Sequence, residues 1–166
     1  MFFNDGWWYL DQEGDVRGGI VLDNLAAKHD LPQMIGVFVD PGVLDVEGTP
    51  TKHRSPEYDA FNDTYASYLL DEVLPIIRTS NAVSDDPMMR GICGGSSGGN
   101  AAVTAAWTRP DGLGRAIAFN PSFAQMPGGN PTRPCSLPKP AGRRVSSSTP
   151  LTAICTGTNA SATGSL

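Results

Sequence analysis

Apolar residues along this chain gather in short runs that alternate with stretches of helical spacing. Met1-Phe2-Phe3 reads as the end of a strand and stops at Asn4-Asp5-Gly6, a turn signal. Val16, Ile20, Val21, Leu25 and Ala26 recur at helical spacing and predict a helix over residues 16–29, weakened by Gly18 and Gly19 and ended by Leu31-Pro32. Residues 34–39 form a continuous apolar run rich in β-branched side chains, the pattern of a strand buried on both faces. Residues 41–56 read as a loop, and a second helix is predicted over residues 57–77, with Phe61, Tyr65, Tyr68 and Leu69 as its apolar stripe and a kink at Pro75. A strand over 89–94, a helix over 98–107 and a strand over 116–119 complete the series. This alternation predicts an α/β domain, a parallel sheet of about four strands with helices on both faces and right-handed crossovers.

Past Pro127 neither period persists. Residues 127–166 hold six of the fourteen prolines and many Ser, Thr and Gly residues, and are expected to be a disordered tail. They contain Arg133, Lys139, Arg143 and Arg144 and no acid, which leaves a formal charge of −9 on residues 1–126 against −5 for the whole chain. The two parts therefore read as different material, a partial domain over 1–126 and a tail over 127–166. A shifted reading frame or an aberrant terminus is the favoured origin of the tail, ahead of a natural linker.

At 166 residues, with 40% hydrophobic and 17% charged residues, the chain suits at most one globular domain. Its acidity argues against a nucleic-acid partner. No apolar run is long enough to span a membrane, so no membrane partner is expected. No secretory signal is visible; a cytoplasmic location is favoured, with the natural N-terminus and the oligomeric state left open. The three cysteines make no disulfide framework and no metal-ligand spacing, so neither metal nor cofactor is expected.

The chemistry concentrates in residues 90–100. A short apolar strand runs into Gly94-Gly95-Ser96-Ser97-Gly98, and an alanine-rich helix follows. This fits the G-x-S-x-G elbow, in which a sharp strand-to-helix turn lifts a serine hydroxyl above the sheet. Ser96 is the nucleophile in the frame Gly94-Gly98 and Ser97 in the frame Gly95-Gly99; the position of the strand favours Ser96. The Ser97 N–H, at the helix N-terminus, is then a candidate oxyanion donor. A phosphate-binding loop is the rival reading, but no G-K-[ST] element or nearby acidic metal ligand supports it. His29 and His53 are the only histidines, and both precede Ser96. His29 reads as a helix-end cation and His53 as a member of a polar loop beside Lys52 and Arg54.

The set Phe3-Asn4-Asp5-Gly6-Trp7, Leu22-Asp23-Asn24-Leu25, residues 34–40, Arg54-Ser55-x-Glu57-Tyr58, Leu70-x-Glu72-x-Leu74-Pro75, residues 90–100 and Trp107-x-Arg109-Pro110 resembles the enterochelin esterase-like esterases of the α/β-hydrolase superfamily, relatives of feruloyl and acetyl-xylan esterases. The resemblance covers about residues 1–123. It implies a partial α/β-hydrolase fold whose four strands are numbers 4, 3, 5 and 6 of the hydrolase sheet, in that spatial order. It also implies cleavage of carboxylic esters through an acyl-enzyme on Ser96. Gly6-Trp7 would supply the second oxyanion donor beside Ser97, and Arg54 and Glu57 would lie at the substrate mouth or, in the favoured role, brace the loop. Trp7, Trp8 and Tyr9 read equally as an aromatic surface for an acyl or sugar group, with Trp8 as a further substrate-binding candidate, and as part of the core. The substrate is expected to be a small-molecule, carbohydrate or siderophore-type ester. In such hydrolases the acid and histidine follow the serine, whereas this sequence departs from the pattern after Phe123. The chain therefore reads as an incomplete esterase; a non-catalytic binding or scaffold fragment of the same fold is the alternative, and completion by a partner chain a third reading.

Overall fold

The computed structural model describes residues 1–123 and the backbone of 152–156. Four strands come from the first part: β1 (Phe2–Asn4), β2 (Val37–Val39), β5 (Gly91–Gly95) and β6 (Arg115–Phe119). They lie side by side in the order β2-β1-β5-β6, all parallel, which is the order implied above. A further strand, β7 (Thr152–Thr156), pairs parallel with β6 from Arg115↔Thr152 to Phe119↔Thr156. The expected irregular tail thus contributes one strand; its remaining residues lie outside the described ones.

Alternation along each strand divides the core into two layers. In register, Phe2, Ile92 and Ala116 face one side of the sheet, and Phe3, Cys93 and Ile117 the other. The first set packs with Leu69, Leu70, Leu74, Ala102, Ala105 and Leu113. The second packs with Tyr9, Trp8, Val16, Leu22 and Phe38. Helices α1 (Gly6–Leu10) and α2 (Gly18–Ala27) cover this second face. The helix α6 (Ser97–Thr108) lies on the first, and its alanines allow close approach to the sheet.

Three elements differ from the sequence expectation. The run 34–39 yields only Val37–Val39 as strand, with Val37 and Phe38 half-buried, because β2 has a strand neighbour on one side alone among the described residues. The expected loop at 41–56 contains an antiparallel hairpin, β3 (Val43–Val46) with β4 (Thr49–Lys52). Its two turn residues, Glu47 and Gly48, both have positive φ (52° and 79°), the requirement of a tight hairpin turn. The expected helix over 57–77 is divided: α3 spans Arg54–Tyr58, and a second helix runs through α4 (Thr64–Ser67), a π-helical turn (Tyr68–Val73) and α5 (Leu74–Arg78). Pro75 offers no N–H to the Asp71 carbonyl and its ring crowds that group; the widened turn just before it takes up the mismatch, and the helix continues.

Candidate active site

Ser96 sits between the end of β5 and the start of α6 with φ 54° and ψ −124°. A non-glycine residue in this region is strained, and the strain is held by its surroundings. The Ser96 N–H donates to Phe119 O at 2.9 Å on the neighbouring strand, and the Ser96 carbonyl accepts from Gly99 N at 2.9 Å and Asn100 N at 3.1 Å. The flanking glycines are needed for space: a Cβ on Gly94 would overlap the Gly98 carbonyl, and one on Gly98 would stand 3.0 Å from Asp5 Oδ2. Strand and helix backbones meet there without side chains between them. Ser97 is the first residue of α6, so its N–H has no partner within the helix and carries the positive end of the helix dipole.

A polar framework fixes the elbow from the side of β1. Asn4 is fully buried; its Nδ2 donates to Gly98 O at 2.8 Å and its Oδ1 accepts from the Tyr65 hydroxyl at 2.7 Å. Asp5, in the left-handed region at φ 58°, is buried. Both its oxygens accept from Arg54, Nε to Oδ1 and Nη2 to Oδ2, each at 2.7 Å. The same Arg54 Nη2 reaches Gly95 O at 3.4 Å, and the guanidinium lies 5.4 Å from the centre of the Tyr58 ring. The bonds to Asp5 raise the already high pKa of Arg54. Tyr58, whose hydroxyl accepts from the Asp5 N–H at 3.2 Å, is pushed up to about 12 by burial. Glu57 accepts from the Gly42 N–H at 3.1 Å and lies 3.7 Å from His53 Nδ1. Arg54 thus holds the Asp5 carboxylate, and Glu57 the Gly42 backbone that precedes the hairpin.

The Gly6-Trp7 segment opens α1. The Trp7 N–H donates to Asp40 Oδ1 at 3.0 Å, its indole is half exposed, and Lys52 Nζ stands 5.1 Å from the ring centre. Trp8 lies against the turn itself, with Cζ3 3.2 Å from the point where a Gly95 Cβ would be. Among the described residues, the Ser96 hydroxyl has one hydrogen-bond contact, Ser122 Oγ at 3.5 Å. Neither histidine bonds to it: His53 pairs with Glu57, and His29 is exposed at the C-terminal end of α2. A groove between α2 and β2, lined by Leu22, Ala26, Met34 and Phe38, shares no residue with the elbow.

Sequence reasoning passed over Asp5, Asp59, Asn100 and Ser122. Asp5 read as a turn residue and Ser122 as part of another turn, with no periodicity to mark them. Asn100 did carry a signal, as a polar side chain at the head of a run of small apolar residues that a sheet-facing helix buries on every side.

The parallel sheet, its strand order and the strained serine between strand and helix define an α/β fold of the esterase type. The chain belongs to the esterase family described as "Putative esterase", which it matches over residues 2–149, beyond the point where the motif resemblance ends. No curated protein matches it. Among solved structures it is similar to the enterobactin esterase of Shigella flexneri in the presence of 2,3-di-hydroxy-N-benzoyl-glycine, at 23% identity and a TM-score of 0.61, over 74% of this chain and 29% of that one. The ferric enterobactin esterase of Salmonella typhimurium gives 24% identity and a TM-score of 0.62, over 74% and 28%. A ferulic acid esterase gives 22% identity and a TM-score of 0.51, over 74% and 45%. The chain thus spans less than a third of the length of the two enterobactin esterases.

Proposed function

We propose that this chain carries the nucleophile and oxyanion portion of a serine carboxylic-ester hydrolase. Ser96 Oγ gives its proton to a base and attacks the ester carbonyl carbon, forming a C–O bond as the carbonyl oxygen becomes an oxyanion. The Ser97 N–H and the helix dipole stabilise that charge. The Gly6-Trp7 segment supplies the second donor; because Trp7 N–H already bonds to Asp40, the oxyanion either displaces that carboxylate or takes the Gly6 N–H. Collapse expels the alcohol, and water then frees the acid from Ser96. The conformation of Ser96 between β5 and α6 is the observation that carries this reading. Structural likeness to enterobactin and ferulic acid esterases supports a small-molecule ester, with the half-exposed Trp7 and its neighbour Trp8 as aromatic surfaces for it.

Within these 166 residues both histidines precede Ser96 and neither bonds to it, so hydroxide is left as the base. Hydrolysis of a p-nitrophenyl ester by the chain and by Ser96→Ala tests both parts. The expected rate is slow, lost in the variant, and rises about tenfold per pH unit without a plateau. A brisk rate with an inflection at about pH 6.5, where an imidazole titrates, would show a histidine base and overturn the incomplete-triad reading. A rate unchanged by Ser96→Ala would overturn the nucleophile.

A second reading follows from the same hydroxyl contact. On this reading the chain is a non-catalytic binding fragment of the fold, with Ser122 rather than an imidazole beside Ser96 Oγ. Saturable binding of an aromatic ester without turnover, in a cooperatively melting protein, distinguishes this reading from the first.

A further inference from the structure

Asn100 lies one helical turn beyond Ser96, fully buried, in a stretch of α6 otherwise made of small apolar residues. Its Nδ2 donates to Asp59 Oδ1 at 2.8 Å, to Ser122 O at 3.0 Å and to Ser122 Oγ at 3.3 Å. A carboxylate and a carbonyl can only accept, so the amide orientation is fixed; the reverse would set Oδ1 against both. On the other side of the group, Asn100 Oδ1 is buried with no hydrogen-bond partner among the described residues. Packing alone would be met by another alanine, as at Ala101 and Ala102.

What Asn100 Nδ2 holds is the segment after β6, against the elbow. Asp59 is buried, and its second oxygen accepts from Ser97 Oγ at 3.1 Å. One carboxylate thereby fixes both the residue that offers the oxyanion amide and the asparagine. Asn100 in turn pins Ser122, whose Oγ stands 3.5 Å from Ser96 Oγ. Ser122 Oγ accepts from Asn100 and keeps both a hydrogen and a second lone pair, so either hydroxyl can donate in its contact with Ser96.

We propose that Asn100 is a positioning residue for the Ser96 hydroxyl, acting through Ser122 and anchored by Asp59. The consequence for reactivity rests on Ser96 being the nucleophile; the positioning itself does not. The test uses the full chain with labelled serines, reading the Ser96 side-chain rotamer from three-bond Hα–Hβ couplings. Phosphonylation of Ser96 by a fluorophosphonate is followed in parallel. Wild type is expected to show one Ser96 rotamer, with averaged couplings in Asn100→Ala and Ser122→Ala. Thr104→Ala, which alters another buried polar group of α6, is expected to keep the single rotamer. Labelling in Asn100→Ala and Ser122→Ala is expected to be about five-fold slower, the effect of one neutral hydrogen bond. Ser122→Ala leaves Asn100 in place and decides the matter should Asn100→Ala fail to fold. Averaged couplings already in wild type, or one unchanged rotamer in Ser122→Ala, would overturn the proposal. A rotamer that responds as expected on a serine that no probe labels would uphold the positioning and count against the nucleophile.

Discussion

The two ends of α6 use the same chemistry for different purposes. At the N-terminal end, Arg54 grips Asp5 with two 2.7 Å bonds, and Asp5 is 5% exposed. At the C-terminal end, Arg109 reaches Asp71 and Asp111, each at 3.2 Å, but those carboxylates are 61% and 51% exposed. Both arginines are held above their usual pKa by their carboxylate partners. The difference lies in water. A buried carboxylate has no other source of solvation, so its cation becomes part of the fold; an exposed one is solvated with or without the arginine. The elbow is thus built on partners that cannot be removed singly, whereas the far end of the same helix is tied to the surface by replaceable contacts.

Substitutions can break this contrast in graded steps. Gly94→Ala should have the largest effect, about 3 kcal/mol or more of lost stability in urea unfolding, because the added methyl overlaps the Gly98 carbonyl and neither backbone can retreat. Arg54→Ala should cost about 3 kcal/mol by leaving Asp5 buried and unpaired, and Arg54→Lys should recover only part of it, since an ammonium cannot make the two-pronged contact or span to Gly95 O.

Alkaline pH should act next, through the buried phenols. The Tyr58 phenol, pushed up to about 12 by burial, ionises at about 10 in the unfolded chain. Between those values the unfolded state holds fewer protons than the folded one, so stability is full below pH 10 and falls as pH rises through 12. Tyr9 and Tyr65, also raised by burial, add to the same loss. The fall attributable to Tyr58 is about 2 kcal/mol, read as the drop in urea midpoint between wild type and Tyr58→Phe profiles. Arg109→Ala should have the smallest effect, less than about 1 kcal/mol, and that loss should shrink further in high salt. A loss equal to that of Arg54→Ala would remove the contrast between the two ends.

Sequence alone made the sheet legible because its strands carry their own signals. Phe2-Phe3, the run ending at Val39, the residues before the elbow and residues 116–119 are short, apolar and bounded by Gly, Pro, Asn or Asp, and family resemblance then gave their spatial order. The hairpin at Val43–Lys52 was not legible, since every residue of both strands faces solvent and Pro50 sits inside one of them. An exposed ribbon has no buried face to impose alternation. The elbow was legible from glycine spacing, which records a backbone contact rather than a side-chain one. Its supports were not. Asp5, Asp59 and Asn100 act through partners 22 to 49 residues away, and such pairings leave no local period.

The most direct test of the account is to map where a fluorophosphonate attaches to the 166-residue chain, by peptide mass spectrometry after prolonged incubation. A slow, single adduct on Ser96 is expected, absent in Ser96→Ala and retained in Ser97→Ala. An adduct on Ser97, or labelling that survives in Ser96→Ala, would contradict it.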